Sequence, residues 1–350
     1  MDNVTLRING TDYSGWTSVR INRSIEQVCG TFNLTLSERW GDSSAPPQIR
    51  AGDACEVYCG DDRVLTGYVD DALPAYDAET HSISIAGRSK AGDLVDCGLP
   101  ARQFTEPRTL LQLARAVAGS FDIDVRAQTD VGAPFKHRPQ IEVGQTGFEF
   151  LEKLARQRGV RFMSDADGTL LIVRAGKTVA PASLVLGENI KAASGQFTQR
   201  DRYNQVVVVG QTAGTDTWNG EQAAVNQGKA QDKTVRANRQ HYIVAENAAD
   251  SADCKRRAQW QRNTAYGRGQ ALTYTVVGWR HNDWLWQPNV LVPVTDEWLR
   301  MDNERLLIAS VQYSLDEENG QQTELQLMPP EAFDLVPTPE PDAEASEKWN

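Results

Sequence analysis

One sequence pattern constrains this chain more than any other, because it occurs twice. RVLTGYVDDALPAYDAETHSISIAGRS begins at Arg63, and RLLIASVQYSLDEENGQQTELQLMPPE begins at Arg305. Each stretch alternates apolar and polar residues on both sides of a polar turn, which is typical of a β-hairpin. When the two arginines are superposed, apolar residues match without a gap, which predicts that the same face is buried in both hairpins. The matched residues are Val64, Leu65, Val69, Ile83 and Ile85 in the first hairpin, and Leu306, Leu307, Val311, Leu325 and Leu327 in the second.

The repeat has two interpretations. A duplicated β-barrel with helix–strand segments inserted between the duplicates would explain it, but any two hairpins with loops of similar length would also look alike. A length of 350 residues favours several domains over one core. We therefore expect an α+β chain that is mainly β. It should contain two similar antiparallel β-barrel domains, with small helix–strand domains between and around them.

Residues 4–100 are predicted to form the first β-barrel domain. VTLRI, WTSVRINRSIEQVCGTFNLTLS and CEVYCG alternate in the manner of half-buried strands and precede the first hairpin. APPQIRAGD contains two prolines and a glycine and is predicted to be a loop.

Residues 101–188 are predicted to form an α+β middle domain with two helix–strand units. PRTLLQLARAVAG has helical spacing and ends at Gly119, before the strand FDIDVRA. TGFEFLEKLARQRG repeats the unit, ends at Gly159, and leads into the strands VRFM and TLLIV.

Residues 189–333 are predicted to form the second β-barrel domain. It should include a loop or small subdomain near 212–248 and a helix over 250–266 that ends at Gly267. The remaining residues, 334–350, are rich in proline and acidic side chains, and we expect a disordered acidic tail.

Charge and composition exclude several classes of protein. The 47 acidic and 36 basic side chains give a net charge of −11, which opposes tight binding of nucleic acid. No apolar run approaches the roughly 18 residues of a membrane span, and the first residues do not resemble a signal peptide, so we expect a soluble protein without stable membrane insertion. Five scattered cysteines predict free thiols in a reducing cytosol.

The side chains that usually carry chemistry do not form a recognisable motif. Cys55 and Cys59 are four residues apart on a strand, which separates them by about 13 Å, too far for two thiolates that each lie about 2.3 Å from one zinc ion. AGKT at Ala175 lacks the first glycine of a phosphate-binding loop and a following helix. The four histidines, His81, His137, His241 and His281, are far apart in the sequence.

Pairs of carboxylates are the remaining candidates for catalysis. Asp61–Asp62 and Asp70–Asp71 are neighbours in the sequence, whereas a glycosidase needs two carboxylates from different segments about 5 to 10 Å apart. We therefore predict no catalytic residue, no metal, no cofactor and no enzymatic activity. A hydrolase that uses such a pair is the weakest alternative.

Four of the nine tryptophans lie close together in the sequence. Such a cluster is compatible with a sugar-stacking platform, with an anchor for another protein, or with ordinary core packing. We treat these residues as candidate interface aromatics. They are Trp279, Trp284, Trp286 and Trp298.

Several segments together resemble a known family. VTLRINGTDYSGWTSVRINRSIEQVCGTFNLTLSERW, WQPN, LLIASVQYSLDEENG and MPPEAF resemble, in order and spacing, the baseplate hub proteins of Mu-like contractile-tailed bacteriophages. The likeness extends from Val4 to about Phe333. More distantly, the chain is similar to the hub portion of type VI secretion spike proteins.

The resemblance implies a structural role. It implies a homotrimer in which two tail-tube-like barrels per subunit form a ring of six similar domains, with the repeated hairpins as ring formers. It further implies a spike protein and tail-tube or other baseplate proteins as partners, DNA that passes through the lumen without specific binding, assembly in the bacterial cytoplasm and a final location in the virion. The alternative function is a carbohydrate- or receptor-binding β protein of a virion or cell surface.

Overall fold

The computed structural model describes residues 3–39, 49–78, 80–211, 226–248 and 251–337. The first β region consists of β1 (Val4–Ile8), β2 (Thr11–Tyr13), β3 (Ser18–Ser24), β4 (Thr31–Arg39), β5 (Ala54–Cys59), β6 (Asp62–Tyr76) and β7 (Thr80–Ser89). Strands β6 and β7 are the predicted first hairpin.

The middle region contains both predicted helix–strand units. Its elements are α1 (Ala91–Asp96), β8 (Arg102–Gln103), α2 (Leu110–Ala118), β9 (Val125–Ala127), β10 (Gln140–Ile141), α3 (Gly147–Arg158), β11 (Arg161–Ser164), β12 (Leu170–Val173) and β13 (Leu184–Val185). Each longer helix begins with a capping box, Thr109 with Gln112 and Thr146 with Glu149. Helix α3 ends at Gly159, whose φ of 60° favours glycine. These caps confirm the two predicted helices.

The second β region follows β13. Its elements are β14 (Ile190–Phe197), β15 (Gln205–Gln211), β16 (Gln227–Gln231), β17 (Gln240–Ala248), α4 (Ser251–Arg268), β18 (Gln270–Val277), β19 (Arg280–His281), β20 (Trp284–Leu285), β21 (Leu291–Asp296), β22 (Met301–Asp316) and β23 (Gly320–Met328), before a 3-10 helix over Pro330–Phe333. Strands β22 and β23 are the predicted second hairpin.

The two β regions share one sheet of 13 strands, where the sequence predicted two separate barrels. The main path is β14-β18-β23-β22-β3-β4-β7-β6-β5-β1-β2, and β21 joins β22 to β13. No closed barrel forms among the described strands. The two regions are joined by the pairing of β22 with β3.

The two regions nevertheless repeat one strand order. Five strands of the first region run β3-β4-β7-β6-β5, and five of the second run β14-β18-β23-β22-β21. In both, the long hairpin lies between a short strand on one side and two strands on the other. We refer to these two sets of five strands as unit 1 and unit 2.

The pairing registers correct the ungapped superposition on the two arginines. Each long strand has one irregularity beside its hairpin partner, between Val69 and Asp71 in β6 and between Ile308 and Ser310 in β22. Aligning these irregularities places Val69 at the position of Ile308 instead of Val311, a shift of three residues. The irregularity inserts one residue into the strand. A buried residue before it and a buried residue after it are therefore separated by an odd number of positions, instead of the even number of a regular strand. A shifted alignment can therefore still match apolar residues.

One hydrophobic core extends across both units. It contains residues from nearly every strand of the sheet, among them Leu6 and Ile21 from the first region and Tyr274 and Val292 from the second. An ion pair of 2.5 Å between Arg280 and Asp62 also links the regions. The middle region has a core of its own around α2, α3 and β9.

Helix α4 corrects the prediction that Gly267 ends a helix. The helix continues to Arg268, and Gly267 is buried within it. A Cβ at this position would lie 2.4 Å from the backbone N of Ala332. Glycine therefore permits the close approach of the terminal 3-10 helix. In the sequence, a glycine that serves such a contact between distant segments looks the same as a glycine that ends a helix. Asp250, one of the predicted first residues, lies outside the described residues.

The segment near 212–248 is a small sheet of its own in its described part. Strands β16, β15 and β17 pair in that order, so residues 227–231, which lie in the predicted loop or small subdomain, form a strand. The buried Arg202 guanidinium lies 2.7 Å from Asp232. Burial alone would raise the pKa of Asp232, but hydrogen bonds from Thr234 and Arg202 outweigh it, and the pKa lies below its ordinary value. Residues 212–225 lie outside the described part of the chain.

The predicted acidic tail is described only at its start. Trp260 Nε1 donates a hydrogen bond of 2.6 Å to the Asp334 carbonyl. Residues 338–350 lie outside the described residues, so the expected disorder of the tail stays a prediction.

Candidate assembly surface

The junction between the two units is an antiparallel strand pair. Ser310–Leu315 of β22 pairs with Val19–Ser24 of β3. Ile25 N donates to the Ala309 carbonyl at 2.9 Å, and the Ser24 hydroxyl donates to the same oxygen at 3.1 Å. The first half of this β22 edge is already paired with β21. The junction therefore covers the part of the β22 edge that β21 leaves open.

Tyr313 anchors this junction from the core side. Its side chain is fully buried, its hydroxyl donates to the Trp286 carbonyl, and its ring meets Trp279 edge to face at 6.5 Å. Burial raises the pKa of Tyr313, which further favours the neutral phenol that donates this hydrogen bond. Opposite it on β3, Ile21 is also fully buried.

The outer end of β6 occupies the corresponding place in unit 1 but has no such cover. Strand β5 pairs with β6 only as far as Tyr68, and β7 occupies the other side. Among the described strands, none pairs with the β5 side of Asp71–Tyr76. Leu73 and Tyr76 are 62% and 82% exposed. Both side chains are large and apolar, and such exposure is notable on a strand of a repeated unit.

Strand β14 is the second open edge. It forms one end of the sheet, and within the described chain it pairs with β18 alone. Most of its residues are exposed, and Phe197 is 53% exposed. Its counterpart in unit 1, β3, is paired on both sides. Unit 2 therefore has an open edge where unit 1 has a covered one.

The ten predicted hairpin residues are all buried. Their side chains pack inside this chain, most of them in the core shared by both units. These side chains stabilise the hairpins from inside. Contact with another molecule would therefore have to involve the exposed strand ends and edges. A role for these residues in a ring stays a prediction.

The four tryptophans do not form an exposed platform. Trp279 and Trp286 are buried, and Trp284 is half-buried against Trp286 with ring centroids 5.2 Å apart. Trp298 alone of the four is exposed, at 86%, in a turn where Asp296 accepts hydrogen bonds from the backbone. Core packing therefore accounts for most of the cluster, and these four side chains form no array of exposed rings for stacking on a sugar.

The other residues considered for chemistry are dispersed. Cys55 and Cys59 are buried, and burial raises the pKa of Cys55 to about 12. His241 stacks on Tyr203, and Asp70 pairs with Arg88. Within the described ranges, no group of three or more His, Cys, Asp or Glu side chains could hold a metal ion. No helix in the same ranges is long and apolar enough to cross a membrane.

Sequence reasoning missed the residues at the two open edges. Tyr76 was not selected as a candidate, and β14 was not recognised as a strand. Its sequence, IKAASGQF, has small and polar residues instead of the β-branched residues that identify strands. The sequence signal that could have identified this edge strand was a largely polar segment that ends in a single phenylalanine.

Family models match three parts of the chain. Residues 3–89 match the N-terminal domain described as Mu phage baseplate assembly protein GpP-like. Residues 91–174 match the second domain described as baseplate hub protein gp44-like, and residues 250–336 match the fourth domain of Mu phage baseplate assembly protein GpP.

Whole-chain comparisons agree with these matches. The chain is 31% identical to baseplate hub protein gp44 of Escherichia phage Mu over 343 residues, covering 95% of this chain and 89% of that protein. It is 39% identical to the crystal structure of a 43 kDa tail protein of prophage MuSo2 from Shewanella oneidensis, with a TM-score of 0.83 and coverage of 95% and 100%.

More distant structures share the fold. A tail protein from Neisseria meningitidis is 22% identical with a TM-score of 0.77, over 96% of this chain and 99% of that one. A type VI secretion component from E. coli is 10% identical with a TM-score of 0.60, over 96% and 80%.

Proposed function

The chain belongs to the family of Mu-like phage baseplate hub proteins, and from this premise we propose that it is the structural hub of a contractile-tail baseplate. Three copies would form a ring with pseudo-sixfold symmetry. The ring would connect the tail tube to the central membrane-piercing spike and let DNA pass. The role is structural and requires no catalysis.

The repeated strand order is the observation that carries this proposal. Three copies of a chain with two similar units supply six similar positions around one axis. The segments that flank the units differ, since unit 2 also carries the small sheet of β15, β16 and β17, so exact symmetry would remain threefold. Such a ring would match a sixfold tube on one side and a threefold spike on the other, with each unit in the place of a tube-type barrel.

Charge supports the passage of DNA. Each chain carries a net charge of −11. A trimer would carry three times that charge, and if part of this excess lines the lumen, it repels phosphate groups. DNA would therefore move through without specific binding.

The proposed partners follow from the two faces of the ring. A spike protein would bind the threefold face, and tail-tube or other baseplate proteins would bind the opposite face. The type VI secretion structure has the same fold, which is compatible with a hub that holds a spike. Assembly would take place in the host bacterial cytoplasm, and the finished protein would reside in the virion.

The proposal is tested by mass and by shape. Light scattering during gel filtration, at low and high protein concentration, should give three times the 38.7 kDa of the chain. Negative-stain images should show a ring with six lobes around a lumen. A protein that remains monomeric at every concentration, even with the spike protein added, would refute the hub.

A further inference from the structure

The junction inside the chain has an unfilled counterpart. In unit 2, β22 continues past β21 and is covered by β3 of unit 1. In unit 1, β6 continues past β5 with no described strand beside it. In unit 2, the strand in the place of β3 is β14, and its outer side is also open. Each strand of the internal junction therefore has a counterpart with an open edge in the other unit. The counterpart of β22 is β6, and the counterpart of β3 is β14.

The pairing registers define which residues correspond. The irregularities in β6 and β22 place Asp71–Tyr76 at the positions of Ser310–Leu315. Tracing the partners through β18 and β4 places 193–198 at the positions of Val19–Ser24.

A side-chain hydrogen bond supports this correspondence independently. The Ser24 hydroxyl accepts from the backbone N of Glu26 at 3.0 Å. At the corresponding residue of unit 2, the Thr198 hydroxyl accepts from the backbone N of Arg200 at 3.1 Å. The two strands therefore end in the same local turn.

From this correspondence we infer that the outer end of β6 in one copy pairs with β14 of a second copy, in antiparallel orientation and in the register of the internal junction. The inference rests on the proposed ring and names its contact. The register is Asp71 opposite Thr198, Ala72 opposite Phe197, Leu73 opposite Gln196, Pro74 opposite Gly195, Ala75 opposite Ser194, and Tyr76 opposite Ala193.

The faces of the two strands agree with this register. At the internal junction, Tyr313 and Ile21 face the core. The residues at equivalent alternate positions are Ala72, Pro74 and Tyr76 on β6 and Ala193, Gly195 and Phe197 on β14, and all six are apolar or small. The opposite face is mostly polar. Pairing would cover the exposed rings of Tyr76 and Phe197 together.

The partner must be another molecule. Within the described part of one chain, β14 pairs only with β18 and the outer end of β6 pairs only with β7, so the two edges do not meet. Three internal junctions would alternate with three junctions between copies, and the ring would close with β14 and the outer end of β6 both covered.

Pro74 should weaken strand pairing at the open edge of β6. Pro74 has no N–H, so the ladder between copies would lack one hydrogen bond that a residue such as Tyr313 can make at the internal junction. Proline on an exposed strand limits indiscriminate pairing with other proteins. The junction between copies would therefore be the weaker of the two kinds.

Cross-linking tests the register. In a Cys97→Ser background, which removes an exposed thiol, the double variant Leu73→Cys with Gln196→Cys should form disulfide-linked dimers and trimers on non-reducing gels. Leu73→Cys with Ser194→Cys shifts the register by two residues and should give at least tenfold less product, because its cysteines would be too far apart. Gln312→Cys with Asn22→Cys, which are opposite each other at the internal junction, should cross-link within one chain and serves as the positive control.

Each outcome decides between the two proposals. Intermolecular cross-links in the inferred register only would support both. A trimer by light scattering with no cross-link, or with equal yield from the shifted pair, would overturn the strand pairing and leave the ring intact. If no trimer forms, the ring and the pairing inferred from it both fail.

Discussion

The outer ends of β22 and β6 occupy the same place in two similar units but have different surroundings. Ser310–Leu315 is covered by β3 and contributes Val311 and Tyr313 to the core. Asp71–Tyr76 is largely exposed and has alanine and proline at those two positions. The difference shows that duplication preserved the strand order while each position acquired side chains suited to its neighbour. Large buried residues accompany the permanent contact, and smaller residues accompany the open one.

Removing the buried anchor should have the largest effect. Tyr313→Ala deletes a fully buried aromatic ring and should lower the free energy of unfolding by about 3–5 kcal/mol. The corresponding change in unit 1, Pro74→Ala, should cost at most about 1 kcal/mol, from the entropy that the unfolded chain gains. Urea denaturation monitored by tryptophan fluorescence measures both. Equal losses would show that the two strand ends are not differently packed.

Charges at the open edges should disrupt assembly and spare the fold. Tyr76→Glu or Phe197→Glu would place a carboxylate in the inferred contact and should weaken trimer formation about 100-fold, or about 2.7 kcal/mol. The unfolding free energy should change by less than about 0.5 kcal/mol, because both side chains are exposed in the isolated chain.

Tyr242→Glu provides the matched control for these edge variants. Tyr242 is 65% exposed but lies on β17, away from both edges. This variant should trimerise normally in sedimentation equilibrium. If it dissociates as readily as Tyr76→Glu, the effect is one of net charge and the edges have no special role.

Two corresponding hydroxyls should differ in their contribution to stability. Ser24 is buried, donates to Ala309 and accepts from Glu26. Ser24→Ala should therefore cost about 1–2 kcal/mol, because it removes both hydrogen bonds of a buried hydroxyl, including the one to the Ala309 carbonyl at the junction. Thr198→Ala should cost less than about 0.5 kcal/mol in the monomer, since water can replace its contact with Arg200. Thermal unfolding of both variants checks this order.

The smallest effect should come from the turn of the second hairpin and should depend on pH. Backbone and side-chain hydrogen bonds from Asn319 hold the pKa of Asp316 below its ordinary value. A depressed carboxyl pKa stabilises the fold above the pKa of the unfolded chain, and this contribution is lost as the pH falls through the folded value. Asp316→Ala should thus have a slightly lower melting temperature than the unmodified protein at pH 7. The difference should shrink below about pH 4.

Glu317→Ala is the control for the Asp316 prediction. Glu317 is the next residue in the same exposed turn, and the variant keeps the Asp316 carboxylate with its hydrogen bonds from Asn319, so its melting temperature should follow that of the unmodified protein as the pH falls. A difference between Asp316→Ala and the unmodified protein that persists at low pH would contradict the assigned role of the carboxylate.

Local patterns predicted the elements well and their arrangement poorly. The spacing around Leu113 and Phe150 predicted α2 and α3, and both residues are buried as expected. Both hairpins formed where alternation indicated. The ungapped match between Val69 and Val311 was wrong by three residues, because an irregularity in a strand is set by its neighbours.

The candidate surface was the least predictable part. Sequence reasoning selected the apolar residues of the hairpins, and these are inside the core. Tyr76 and Phe197 became candidates only when the sheet showed which strands lack a partner. Exposure of an edge depends on the whole strand order, and no short segment contains that information.

By itself, the sequence determined the kind of most main elements and the existence of a repeat. Alternation, helical spacing and capping residues act over a few neighbouring positions, so a single segment is enough to specify them. The tertiary structure decided that the units share one sheet, through contacts such as the one between Ser24 and Ser310. These residues lie almost 300 positions apart, and their pairing depends on the packing of every strand between them.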